Sequence, residues 1–142
     1  MSSTHLSLHY HLVFGTKDCQ PLIDGEWRAR LHMYLGGLIQ KAGGFPEAVG
    51  GTSDHVHLLI GLRATHCLAK VLQDLKQTSS EWVHARIGVY KFFWEEGYGA
   101  FTVSASGIST VKEFILRQEE RHQRRSFQDE YAALLARSGI RI

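Results

Sequence analysis

PEAVGGTSDHVHLLIGL, residues 46–62, reads as two short strands joined by a tight turn. The first runs over 46–53 and ends in polar turn residues; the second, HVHLLIGL, covers 55–62. A connection this short makes a hairpin. On the N-terminal side, apolar residues recur at helical spacing over 26–42 (Trp27, Leu31, Tyr34, Leu35, Leu38, Ile39) and stop at Gly43-Gly44. Before that helix, residues 5–14 alternate: Leu6, Leu8, Tyr10, Leu12 and Phe14 on one side, His5, Ser7, His9, His11 and Val13 on the other. That is a strand with one face on a core. On the C-terminal side, a second helix pattern covers 66–86 through Leu68, Val71, Leu72, Leu75, Trp82 and Val83. An aromatic, irregular stretch at 88–98 leads to a last strand at 100–104, then to helices at 108–125 and 127–138. Strand, helix, strand, strand, helix, strand is the split β-α-β order of ferredoxin-like and RRM-like α+β folds. This order predicts an antiparallel sheet with the first and third strands central. The two intervening helices should share one face, leaving the other free for a ligand or partner, and the C-terminal helices are additions.

The chain has 142 residues, 44% hydrophobic and 21% charged, which fits one globular domain over residues 1–142 with its own core. With 2 prolines and 14 glycines it is neither collagen-like nor proline-rich. No run of eighteen apolar residues is present, so no membrane span is expected. The start, MSSTHLSLHYH, lacks the basic and apolar regions of a signal peptide, and a cytoplasmic location is expected. Cys19 and Cys67 form no CxxC pattern and read as reduced thiols. Net charge is +2, unevenly spread: residues 1–62 carry 4 Lys/Arg against 5 Asp/Glu, the remainder 12 against 9. The C-terminal half thus has a weak leaning toward anionic partners.

His55 and His57 are the first residues with pointed chemistry. At i and i+2 on a strand their side chains leave the same face, while Val56, Leu58 and Ile60 pack on the other. The pair reads either as two half-exposed sheet histidines or as two ligands of a metal ion, and two ligands are too few. Asp54, just before, is placed to orient a histidine. His9 and His11 lie on the matching side of the neighbouring first strand. In the third helix, Phe114, Gln118 and His122 share one stripe at i, i+4 and i+8, and Arg117, Arg121 and Arg125 form a basic stripe beside it. Ile108, Val111 and Ile115 make a third, core-facing side. From the residues alone, Gln118 is a solvated helix position, Phe114 a packing residue, and the arginines a solvated face with some phosphate affinity.

With SDHVHLLIGL stand four further segments: HYHLVFGTK at 9–17, FFWEEGYGAFTVSAS at 92–106, VKEFILRQEERHQ at 111–123 and SFQDEYAALLARSGI at 126–140. Together, in this order and along nearly the whole chain, they resemble the bacterial single-tyrosine HUH transposases, most closely the REP-associated tyrosine transposases. The resemblance implies cutting and rejoining of single-stranded DNA flanked by imperfect hairpins, usually by a homodimer. It implies a divalent ion, Mg²⁺ or Mn²⁺, held by His55, His57 and Gln118, which polarises the scissile phosphate. It also implies a tyrosine four residues before the glutamine, which attacks phosphorus to form a 5′-phosphotyrosine link and frees a 3′-OH.

This chain departs from that pattern at the nucleophile. Position 114 is phenylalanine, which has no hydroxyl. Tyr10, Tyr34, Tyr90, Tyr98 and Tyr131 are poor substitutes, lying in other elements or, for Tyr10, toward the core. The expectation is a transposase of this type that does not cleave as written. The alternatives are a hairpin-binding protein without strand transfer, and an RRM-like RNA- or ligand-binding dimer with incidental histidines. RRM domains read RNA with aromatics on the sheet, where this chain has histidines. For KFFWEEGYGAF, the aromatics either pin an irregular loop to the core or, through Phe93 or Trp94, offer a base-stacking platform.

Overall fold

Alternation along the first strand and along HVHLLIG sorts their side chains onto two faces, and the rest of the architecture follows from that sorting. A computed structural model describes residues 3–123 and 125–140. The elements run β1 (His9–Gly15), α1 (Arg28–Lys41), β2 (Phe45–Gly51), β3 (His55–Gly61), α2 (Leu68–Trp82), β4 (Gly99–Val103), α3 (Ile108–Leu116), α4 (Gln118–Arg121) and α5 (Phe127–Arg137). The four strands pair antiparallel in the order β2-β3-β1-β4, so β1 and β3 are central as expected.

The register places Tyr10 opposite Ile60, Leu12 opposite Leu58 and Phe14 opposite Val56. These residues face α1 and α2, which bury Leu31, Leu35 and Ile39, and Val71, Leu72 and Leu75. Each fully buried aliphatic side chain here contributes roughly 1.5–3 kcal/mol over leaving it in water. α1 stops where predicted: Gly43 takes φ 89°, and the Gly44 N–H reaches back to the Ile39 carbonyl at 3.0 Å. The segment before β4 is pinned to this core. Phe92 is fully buried, the Trp94 ring meets Phe14 and Phe92 edge-on, and its indole N–H donates to Ser79 Oγ at 3.0 Å. Phe93 stays half exposed.

The structure corrects three expectations. β1 starts at His9 rather than residue 5, because its neighbours end at Gly61 and Val103, both opposite His9. Leu6 is consequently exposed. The predicted helix over 108–125 is broken at Arg117, where the backbone leaves helical geometry (φ −105°, ψ 20°). No glycine or proline marks that break; it lies where Gln118 turns in against the sheet.

The third correction concerns the sheet's second face. It was expected to be free, but the C-terminal helices cover it. Ile115 packs on Ala48 and Leu59, with Val103, Ile108, Val111 and Phe114 around them. Gly50 permits this approach, since a Cβ there would lie 2.2 Å from the Ile115 carbonyl oxygen. α5 closes the other end of the face. Ser126 caps it by accepting from the Asp129 N–H at 3.2 Å. Phe127 stacks flat on the His55 ring at 4.1 Å, and Tyr131 lies so close to Gly99 that a Cβ there would meet its hydroxyl at 2.7 Å.

Candidate metal and nucleic-acid site

β3 delivers His55 and His57 to the covered face, and both are 0% exposed. They were expected to point outward; they do leave the apolar core, but into a second, polar interior. His11 (4% exposed) comes from β1, Gln118 (1%) from α4 and Glu130 (2%) from α5. His55 Nε2 lies 2.8 Å from Gln118 Oε1, so the structure brings these two predicted residues together. His57 Nε2 lies 2.9 Å from Glu130 Oε1, and its Nδ1 lies 2.7 Å from His11 Nε2. Asp54 orients His55 as the sequence suggested, with its carboxylate 2.8 Å from Nδ1. His122 follows α4 and sets its Nε2 3.0 Å from the same Gln118 oxygen and 3.2 Å from Glu130 Oε2.

Phe114 sits above this cluster. Its ring meets His57 edge-on at 5.4 Å and His11 at 5.9 Å, and the Arg121 guanidinium covers it at 4.5 Å. Because the helix breaks at Arg117, the three arginines do not form the continuous stripe expected. They line one groove of about 700 Å³ instead, together with Phe114, Glu113 and Glu120. Arg117 pairs with Glu113 at 3.0 Å, and Arg121 Nε is 3.4 Å from Glu130 Oε2. The Arg125 guanidinium donates to the Asp129 carbonyl at 3.3 Å.

Burial sets the protonation of the interior. It pushes His57 down to about 4, against the hydrogen bond to Glu130, and pushes His11 down to about 3. Both are therefore neutral at pH 7. Burial alone would raise the Glu130 carboxyl, but the hydrogen bond and the surrounding imidazoles hold it down at about 2. Asp54 is lowered in the same way, burial being outweighed by its bond to His55.

Glu130 and His11 complete this cluster, and sequence reading did not place either firmly. Glu130 carries no motif signal; its only hint is a carboxylate in the first turn of a helix whose next apolar residue is Tyr131. His11 was visible as a histidine on the non-core side of β1, though not as the partner of His57.

The donors present suit a divalent cation. Imidazole nitrogens, a side-chain amide oxygen and a carboxylate converge, with the outer atoms of His55 and His57 held by Asp54 and His11. His55, His122 and Glu130 each offer an atom within 4.8 Å of the others. Glu130 bridges toward His57, and Gln118 toward both His55 and His122.

Comparisons with known proteins bear on the family and the fold. A model of the IS200-like transposase family matches residues 4–118. No curated protein matches the chain by sequence. Among solved structures, a Deinococcus radiodurans R1 protein assigned as a transposase superposes with TM-score 0.64 at 22% identity, over 81% of this chain and 95% of that one. A REP-associated tyrosine transposase bound to a REP hairpin superposes with TM-score 0.62 at 11% identity, over 86% of this chain and 74% of that one. At these identities the two structures speak to the fold. No helix among the described residues is long and apolar enough to cross a membrane. The family match spans β1 through Gln118, taking in both HVH histidines, and the chain belongs to the IS200-like transposase family.

Proposed function

We propose that the chain binds single-stranded DNA bearing hairpins at a metal-dependent transposase site whose nucleophile is missing, so that it does not cleave as written. His55, His57 and Gln118 hold the ion, Mg²⁺ or Mn²⁺, and Phe114 occupies the nucleophile position. When bound, the ion supplies a Lewis acid for the scissile phosphate. The chain's own residues do the rest. Asp54 and His11 fix the imidazoles, and Gln118 is carried inward by the break at Arg117. Arg117, Arg121 and Arg125 take phosphates along the groove beside Phe114. One observation carries the reading. Phe114 rests its ring on His57, four residues before a glutamine whose oxygen lies against His55. A tyrosine of the same shape would carry its hydroxyl on a ring that lies against two of the cluster's histidines.

Hairpin recognition is supported by the similar REP-associated transposase, which is bound to a REP hairpin. Phe114 touches the histidines of its own chain. A homodimer remains part of the proposal, and sedimentation equilibrium at micromolar concentration tests it; a strict monomer removes it. The RRM-like alternative needs an open sheet face, and α3 to α5 cover it.

The test compares the chain with Phe114→Tyr on labelled hairpin-bearing single strands with Mn²⁺, on a denaturing gel. The tyrosine oxygen should bond to phosphorus as the 3′-oxygen leaves, so a covalent adduct should appear with the variant alone. If neither protein forms an adduct while both hold the hairpin, the second reading stands: a hairpin-binding protein that has abandoned strand transfer.

A further inference from the structure

Two imidazoles in the cluster have their hydrogen placed by groups outside it. The Asp54 carboxylate can only accept, so its 2.8 Å contact puts the His55 hydrogen on Nδ1. The Arg125 carbonyl does the same for His122 at 2.6 Å. In its neutral form, each ring then turns a bare Nε2 lone pair inward. Those lone pairs meet Gln118 Oε1 at 2.8 and 3.0 Å, and His122 Nε2 also meets Glu130 Oε2 at 3.2 Å. With both rings neutral, the His55 and His122 lone pairs thus face the Gln118 oxygen, and that of His122 also the Glu130 carboxylate, with no hydrogen between them. Turning the Gln118 amide over would offer the rings an N–H, but would aim its oxygen at the Phe114 carbonyl and the Glu130 carboxylate, each 3.4 Å away. A buried cluster of this kind is self-repelling without a cation. Arg121 pairs with Glu130 alone among these groups, at 3.4 Å. The spacings suit an ion among them, since adjacent ligands of an octahedral ion with bonds of ~2.1 Å stand about 3.0 Å apart.

We infer that His122 and Glu130 bind the same divalent ion as His55, His57 and Gln118, and that the site prefers a first-row transition ion such as Mn²⁺ to Mg²⁺. Three imidazole nitrogens favour such an ion, whereas Mg²⁺ prefers oxygen and water. The inference rests on the metal site proposed above and extends it to α5. Glu130 is carried by that helix, so the bound ion fastens α5 across the sheet.

The experiment is calorimetric titration of the full chain with Mn²⁺ and with Mg²⁺. His57→Asn, His122→Asn and Glu130→Gln are compared with the unmodified chain, and circular dichroism confirms the fold of each. Mn²⁺ should bind at least about tenfold more tightly than Mg²⁺. His122→Asn and Glu130→Gln should each weaken Mn²⁺ by at least the roughly 10–100-fold that loss of an outer partner costs. Should Glu130→Gln fail to fold, Glu130→Asp keeps the charge on a shorter arm and should bind with intermediate affinity. His122, at the edge of the cluster, supplies an independent variant, and nitrogen couplings in the spectrum of bound Mn²⁺ should fall by one imidazole in His122→Asn. Loss of Mn²⁺ in His57→Asn, with both other variants within about twofold of the parent, overturns the role of His122 and Glu130 and leaves the three-residue site standing. Equal affinity for Mg²⁺ and Mn²⁺ overturns the selectivity. An unmodified chain that ignores Mn²⁺, or a His57→Asn variant that binds it normally, overturns the proposed metal site itself and this inference with it.

Discussion

The two faces of one sheet solve opposite problems with alternate residues of the same strands. Toward α1 and α2, β1 and β3 present Leu12, Phe14, Val56, Leu58 and Ile60, a hydrocarbon layer that needs only shape and volume. Toward α3, α4 and α5, the intervening positions present His11, His55 and His57, equally buried, in a layer where every polar atom needs a partner. The first face is stabilised by being dry. The second is held by a hydrogen-bond and charge network whose members come from separate segments, and such a network is costly when broken. The fold rests on one face and the chemistry on the other, so their responses to mutation, pH and metal should differ.

The largest expected effect lies on the apolar face. Leu58→Ala removes a fully buried side chain and should cost about 3 kcal/mol in urea unfolding, with metal affinity per folded molecule unchanged. A parallel loss of Mn²⁺ binding would erase the division between the faces.

Acid should distinguish them next. His11 and His57 are lowered from 6.5 to about 3 and about 4, whereas the unfolded chain titrates near 6.5. Between pH 6.5 and 4 the unfolded state therefore takes up protons that the native state refuses, and stability falls as pH falls. At pH 5.5, in EDTA, the two together should have cost roughly 2–3 kcal/mol relative to pH 7.5, at about 1.4 kcal/mol per pH unit for each titrating group. Glu130, lowered from 4.5 to about 2, adds a further loss below pH 4.5. Flat stability from pH 7.5 to 5 would mean that these histidines are not buried neutral.

Gly50→Ala tests how the second face is closed. Its Cβ would meet the Ile115 carbonyl, so α3 must lift, at a cost of roughly 1–3 kcal/mol. Gln118 follows α3 directly, so hairpin and Mn²⁺ binding should weaken as well. The smallest effect belongs to the rim. Arg117→Ala removes an exposed ion pair and should change stability by less than about 0.5 kcal/mol. Its effect should appear in a shallower salt dependence of DNA binding, and an unchanged slope would exclude Arg117 from the phosphate contacts.

Much of this molecule is legible without a structure, for a definite reason. Alternation with period 2 and helical spacing are local properties, so β1, β3, α1 and α2, their faces and the order of elements can be read from residues a few positions apart. The HVH pair is local too, and so is Asp54, the neighbour that orients it. Position 114 is phenylalanine whatever the fold.

Tertiary structure alone decided what covers the histidines. The break at Arg117 has no local marker; it is imposed where Gln118 must turn into a buried polar cluster. Gly50 looks like any strand glycine until the Ile115 carbonyl is found against it. Glu130, 73 residues from His57 along the chain, becomes its hydrogen-bond partner only because α5 folds back across the sheet. Elements follow from near-neighbour periodicity, but a site assembled from β1, β3, α4 and α5 depends on long-range closure, which no short window of sequence contains.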